Sequence, residues 1–189
     1  MAPLLARRSK GQQGRSREPR PTARSAPLPP SFASSLSLPA LLAYSMPVNH
    51  RILFICTGNF YRSRFAEAVF NYHAERQQLP WTALSRGLAI HLTEGYLSSV
   101  AAEALLDRQI DLRYTGRERV QLSEDDLLRA DRSIAMHRTE HLPMMQSQFP
   151  AWAGQIDYWD VPDIPHCPSE DALREIEQNV IRLLQEVSA

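Results

Sequence analysis

Residues 51–63 read RILFICTGNFYRS. Ile52, Leu53, Phe54 and Ile55 form a short apolar run of the kind a strand needs when both of its faces are buried. After Ser63 the period changes. Phe65, Ala68, Val69 and Tyr72 fall at i, i+3, i+4 and i+7, one stripe of an amphipathic helix. The five residues between Cys56 and Arg62 are therefore expected to link a strand to a helix. In an open parallel sheet such a link lies at the carboxyl end of a strand, where ligands bind.

The residue types in this link suggest a particular chemistry. Cys56 would sit where a loop feeds the amino end of a helix, whose dipole favours a thiolate. Gly58 opens conformations closed to other residues, and Asn59 is the next most tolerant of positive φ. A tight loop of this kind turns successive backbone N–H groups inward as an anion nest. Arg62 adds a planar fork for two oxygens of a tetrahedral oxyanion, and Ser63 can donate to the sulfur. With no Gly-Lys-Ser/Thr sequence present, this is not the nucleotide-binding loop. A cysteine ending a buried strand is commonly just a small hydrophobe. The strand before it, the helix after it and the Gly-Asn and Arg-Ser pairs favour a nucleophile at the floor of a phosphate cradle.

Further along, the first strand is expected at 51–55, a helix at 62–77, and a second strand from Trp81 to Leu84 closed by Ser85-Arg86-Gly87. Ser99 would cap a helix reaching Arg108, with Val100, Ala104 and Leu105 facing inward. Ser123, followed by Glu124, Asp125 and Asp126, opens a short helix ending at Arg129. Strands are then expected at 133–136 and 155–158. A last helix runs from Ser169 with a stripe of Leu173, Ile176, Val180, Leu184 and Val187. Strands alternating with helices predict a single α/β domain: a four-stranded parallel sheet, doubly wound, with helices on both faces.

That domain is expected over 47–189. Residues 1–46 form an Arg-, Pro- and Ser-rich extension expected to be disordered. Residues 1–45 carry seven Lys or Arg against one acid, Glu18. The formally neutral chain thus divides into +6 there and −6 in the remainder. Three uses for the extension stay open: Met46 as the actual first residue, a transit or export signal, or a tether. No apolar stretch approaches the roughly 20 residues of a membrane span. Cys56 and Cys167, the only two cysteines, make neither a disulfide framework nor a metal-ligand spacing. A cytoplasmic, reducing setting is expected. Arg113, Arg117 and Arg119 read as a solvated face rather than a nucleic-acid site, and Trp81, Trp152 and Trp159 as packing or pocket-rim residues. His137 and His141 read as surface or capping histidines that could also line the cleft.

ICTGNFYRSRFAEAVF resembles the active-site segment of the low-molecular-weight protein-tyrosine phosphatases, bacterial members included. Their loop is Cys-x-Gly-Asn-x-x-Arg-Ser before an Ala-Glu-Ala helix. SRG at 85–87, DRSIAMHRTEH at 131–141 and DVPDIP at 160–165 resemble further segments, so the likeness covers about 50–187. The resemblance implies a phosphatase working through a phosphocysteine on Cys56. Arg62 would bind the phosphoryl oxygens, and Asp163 would be the acid, with Asp160 its rival. Thr57, Gly58, Asn59, Phe60, Tyr61 and Ser63 would complete the phosphate loop. It implies no cofactor and no metal. The partner is a phosphorylated protein or small phosphomonoester, and no nucleic acid is expected.

Two departures stand out. Tyr61 occupies the position where many members have a second cysteine, and Cys167 is either its replacement or a plain loop thiol. Ile164-Pro165-His166 replaces the aromatic residues that follow the acid in tyrosine-directed members, leaving Phe60, Tyr61 or Trp159 to wall the pocket. Thr57 is shared with bacterial members, among them the branch resembling protein-arginine phosphatases. A protein-arginine phosphatase, an arsenate reductase on the same fold and a phosphate-binding module without turnover are the alternatives. The reductase would need extra cysteines where this chain has MHRTEHLPMM.

Overall fold

The computed structural model describes residues 49–92 and 94–189. The extension expected over 1–46 lies outside them. In chain order the elements are β1 (His50–Cys56), α1 (Arg62–Arg76), β2 (Trp81–Gly87), α2 (Ser99–Asp107), α3 (Glu124–Arg129), β3 (Arg132–Ala135), α4 (Arg138–Gln148), β4 (Asp157–Tyr158) and α5 (Ser169–Val187). The strands make one parallel sheet in the order β2-β1-β3-β4.

β1 alternates strictly between two cores, as a strand covered on both faces must. Ile52, Phe54 and Cys56 pack with α1, α2 and α5, including Phe65, Val69, Leu105, Ile176 and Val180. Leu53 and Ile55 pack on the other side with Leu127 of α3 and Met145 of α4. The sheet is doubly wound, and the winding reverses at β1. The chain leaves β1 for β2 on one side and returns to β3 on the other. The carboxyl ends of β1 and β3 therefore open a crevice between the loop after β1 and the start of α4.

The structure departs from the sequence-based expectation at definite points. β2 runs on through Ser85, Arg86 and Gly87, which pair with Phe54, Ile55 and Cys56. β4 shrinks to Asp157–Tyr158. Ser98, not Ser99, precedes α2 as its cap residue, and Ala101 with Leu105 forms the buried side of that helix. Val100 and Ala104 are only partly buried. α4 is a helix where the sequence pattern marked no element, and it contains Pro143. Only His141 and Met145 of it are buried, so it presents no hydrophobic stripe to be read. Gly87 explains the close approach of β2 to the loop after β1. A Cβ there would stand 2.9 Å from both Thr57 O and Asn59 N.

Candidate active site

The loop between β1 and α1 is fastened to β2 and beyond by its backbone. Leu88 N donates to Cys56 O at 2.9 Å, Ala89 N to Thr57 O at 2.8 Å and Ser98 N to Phe60 O at 2.9 Å. Asn59 takes the left-handed conformation, at φ 48°, a region that its short polar side chain tolerates. The sequence offered Gly58 first for that task. The Asn59 side chain explains the difference. Its Nδ2 donates to Ser85 Oγ at 2.8 Å and Ser63 Oγ at 3.2 Å, while its Oδ1 accepts from Val120 N at 2.8 Å.

Ser63 Oγ lies 3.0 Å from Cys56 Sγ. Because Ser63 Oγ already accepts from Asn59, its own proton is free to point at the sulfur. Behind this pair a buried polar network continues into the domain. Ser85 Oγ donates to Glu67 Oε2 at 2.7 Å and Thr115 Oγ1 to the same oxygen at 2.6 Å. Arg64 Nε donates to Thr115 Oγ1 at 2.6 Å. Burial pushes the Glu67 carboxyl up from its ordinary range, against the pull of Thr115, Ser85 and Arg64. On a lone sequence Arg64 and Glu67 look like the solvated face of a helix. Here they are the buried rear support of the loop.

Cys56 is 3 % exposed and Arg62 1 %. Both line a cavity of about 320 Å³ together with Thr57, Gly58, Phe60 and Tyr61. Asp163 and Ile164 enter from the loop after β4, Glu140 from α4, and Leu92 and Ser98 from the segment after β2. Among the described residues no side chain caps the amino end of α1, which leaves the N–H groups of its first turn open to a ligand. A larger cavity of about 550 Å³ lies against Arg64, Leu112, Arg113, Thr115 and Arg117. It contains no nucleophile, since the Thr115 hydroxyl is committed to Glu67. The candidate nucleophile Cys56 lines the smaller one.

Asp163 is brought to Arg62: its Oδ2 accepts from Nη2 at 2.7 Å and its Oδ1 from Ile164 N at 2.8 Å. Its side chain is 41 % exposed, so it has room to turn. Asp160, the rival acid, is 85 % exposed and lies 3.1 Å from His137 Nε2, away from the cavity. Tyr61 is buried with its hydroxyl donating to Ser169 O at 2.8 Å. Burial, reinforced by the Asp163 charge, pushes that phenol up to about 12. Trp159 packs against Phe54 at 5.5 Å between ring centres and Trp81 stacks on His50 at 4.6 Å, so neither walls the pocket. The apolar rim is Phe60, Leu92 and Ile164. Cys56 and Cys167 are both free thiols, and Cys167 Sγ faces Pro168 O at 3.5 Å.

Sequence reasoning missed Glu140 altogether and left His141 between a surface or capping place and the wall of the cleft. Glu140 Oε1 and Oε2 accept from Arg62 Nη2 and Nη1 at 2.9 and 2.8 Å, and Glu140 also accepts from the Thr57 hydroxyl. Burial alone would raise its carboxyl, but the Arg62 hydrogen bonds, the charges of His141 and Arg62 and the Thr57 hydroxyl together outweigh burial and hold it down at about 2. His141 is fully buried, with Nδ1 against the His137 backbone and Nε2 3.3 Å from Thr57 Oγ1. Burial, helped by the nearby Arg62 charge, lowers its ring to about 4. The i, i+3 spacing of His137 and Glu140 was the one signal available, and it has meaning only once α4 is known to be a helix.

The family model for low molecular weight phosphotyrosine protein phosphatase matches residues 51–189. A protein-arginine-phosphatase of Bacillus subtilis (strain 168) is 33 % identical over 105 residues, 56 % of this chain and 67 % of that protein. Among solved structures, a low molecular weight protein tyrosine phosphatase from T. tengcongensis superposes with a TM-score of 0.63 at 30 % identity. That match covers 72 % of this chain and 99 % of the other. An arginine phosphatase from Geobacillus stearothermophilus gives a TM-score of 0.59 at 28 % identity over 74 % and 93 % of the two chains.

Proposed function

The chain belongs to the low molecular weight phosphotyrosine protein phosphatase family, and from that premise we propose that it hydrolyses a phosphorylated protein side chain through a phosphocysteine on Cys56. The phosphoryl group enters the loop above Cys56 Sγ, where backbone N–H groups and Arg62 take its oxygens. Ser63 donates to the thiolate. Sulfur attacks phosphorus as the bond to the leaving oxygen breaks, and Asp163 supplies the proton that oxygen needs. The same carboxylate then takes a proton from water as the water displaces sulfur, releasing phosphate and restoring the thiolate. Asp163 must first leave Arg62 Nη2. The incoming phosphoryl oxygens compete for that donor and release it.

What carries this reading is the convergence of Cys56, Arg62 and Asp163 on one cavity from two separate loops. The test is steady-state hydrolysis of p-nitrophenyl phosphate with EDTA present. Activity should survive EDTA, vanish in Cys56→Ser and fall sharply in Asp163→Ala. A phosphate-binding module would bind phosphate without turnover and be indifferent to Asp163.

The rim of Phe60, Leu92 and Ile164 suits a phenyl ring, which makes phosphotyrosine the first substrate to try. A second reading, phosphoarginine, is supported by the Glu140 and Asp163 carboxylates and the Thr57 hydroxyl lining the same cavity. They offer acceptors to a guanidinium leaving group. The ratio of kcat/KM on matched phosphotyrosine and phosphoarginine peptides separates the two.

A further inference from the structure

A guanidinium carries five N–H donors and no acceptor, and it offers two edges at which a two-oxygen anion can bind side by side. One edge is the Nη1–Nη2 end; the other is the Nε–Nη2 side. In Arg62 the end edge is filled by Glu140 alone, with Nη1 to Oε2 at 2.8 Å and Nη2 to Oε1 at 2.9 Å. The remaining Nη1 proton goes to Val161 O at 3.1 Å. On the side edge Nη2 donates to Asp163 Oδ2 at 2.7 Å, and Nε has no partner among the described residues. One edge is thus closed by a partly buried carboxylate. The other is held by a single oxygen of an exposed one.

Glu140 is itself fixed. Its Oε1 also receives the Thr57 hydroxyl, and His141 Nε2 stands 3.5 Å away. Thr57 is the residue after Cys56 and Arg62 closes the loop, so one carboxylate on α4 joins both ends of it. We infer that Glu140 is a positioning residue: it braces Arg62 by its end edge and presents the Nε–Nη2 edge to the phosphoryl oxygens, so that only Asp163 has to move when substrate binds. This rests on Arg62 being the phosphoryl-binding group of the reading above.

The sign of one measurement separates this role from its opposite. Glu140 is a negative charge beside an oxyanion site, and on Coulomb grounds its removal should strengthen phosphate binding. A brace predicts the reverse, because a guanidinium that loses its orientation loses the transition state first.

The test uses Glu140→Ala and the isosteric Glu140→Gln in the full chain, with folding checked by urea midpoint. Binding of inorganic phosphate is measured by calorimetry and inhibition by vanadate in the p-nitrophenyl phosphate assay. Glu140→Ala should weaken vanadate inhibition and lower kcat by about tenfold to a hundredfold, with a smaller change in KM. Glu140→Gln, which keeps one acceptor for the fork, should fall between Glu140→Ala and the native protein.

Phosphate binding that is unchanged or tighter in either variant would overturn the brace and make Glu140 a competitor for Arg62. Calorimetry keeps the two readings apart. If the native protein binds phosphate but does not turn over, the phosphatase reading fails, yet weaker binding in Glu140→Ala still supports the brace. If turnover depends on Cys56 but ignores Glu140, only the brace fails. A native protein that binds no phosphate overturns both.

Discussion

Replacing Asn59 probes the loop through two separable effects. Its side chain makes three hydrogen bonds, to Ser63, Ser85 and Val120 N, and its backbone is left-handed at φ 48°. Each bond is worth about 1 kcal/mol net, so removing all three costs about 3 kcal/mol in any variant that lacks the amide. Glycine adopts the left-handed backbone freely, whereas alanine pays for its Cβ there. After the looser unfolded chain of the glycine variant is counted, alanine should still be worse by about 1 kcal/mol. Asn59→Gly is therefore expected to lose about 3 kcal/mol and Asn59→Ala about 4 kcal/mol. Urea unfolding with a shared m-value measures both. In both variants kcat should drop, because nothing then directs the Ser63 proton at Cys56. A glycine variant as stable as the native protein would refute the hydrogen-bond part. Equal stability of the two variants would refute the backbone part.

Other expectations follow from single features. Gly87→Ala should destabilise by about 1–3 kcal/mol and cost activity, since its Cβ would press on the loop backbone at Thr57 and Asn59; unfolding midpoints and kcat check it. Stability should fall on acidification in two adjoining windows. His141, neutral in the folded protein down to about 4 against an ordinary 6.5, binds its proton later than the unfolded chain. Its contribution is full above 6.5 and is lost as pH falls to about 4, on the order of 3 kcal/mol. Glu140, held at about 2 against an ordinary 4.5, extends the loss below that. Denaturation at a series of pH values should show the slope between 4 and 6.5 flatten in His141→Gln, and an unchanged slope would assign it elsewhere.

The β1–loop–α1 unit was legible because it uses the strongest local signals: an apolar run, a change of period and an unusual set of residues between. The place of Asp163 beside Arg62 was legible from the likeness of DVPDIP to the family's acid segment. Sequence failed where tertiary contacts override residue type. Ser85 and Gly87 are turn formers by residue type. Ser85 continues a strand to support Asn59 and Glu67, and Gly87 does so to let the loop pass. α4 buries two side chains and contains a proline, so neither period nor propensity marks it, and Glu140 stayed hidden with it. Arg64 and Glu67 look solvated by type but are buried because each satisfies the other's neighbourhood.

The central claim is that phosphate passes through Cys56. Acid-quenching Asp163→Ala during turnover of p-nitrophenyl phosphate should trap the intermediate on the tryptic peptide Ile52–Arg62, detectable by mass spectrometry. The account predicts one phosphate on Cys56 in that variant and none when Cys56→Ala is added. Turnover with phosphate found on another residue, or on none under the same quench, would contradict it.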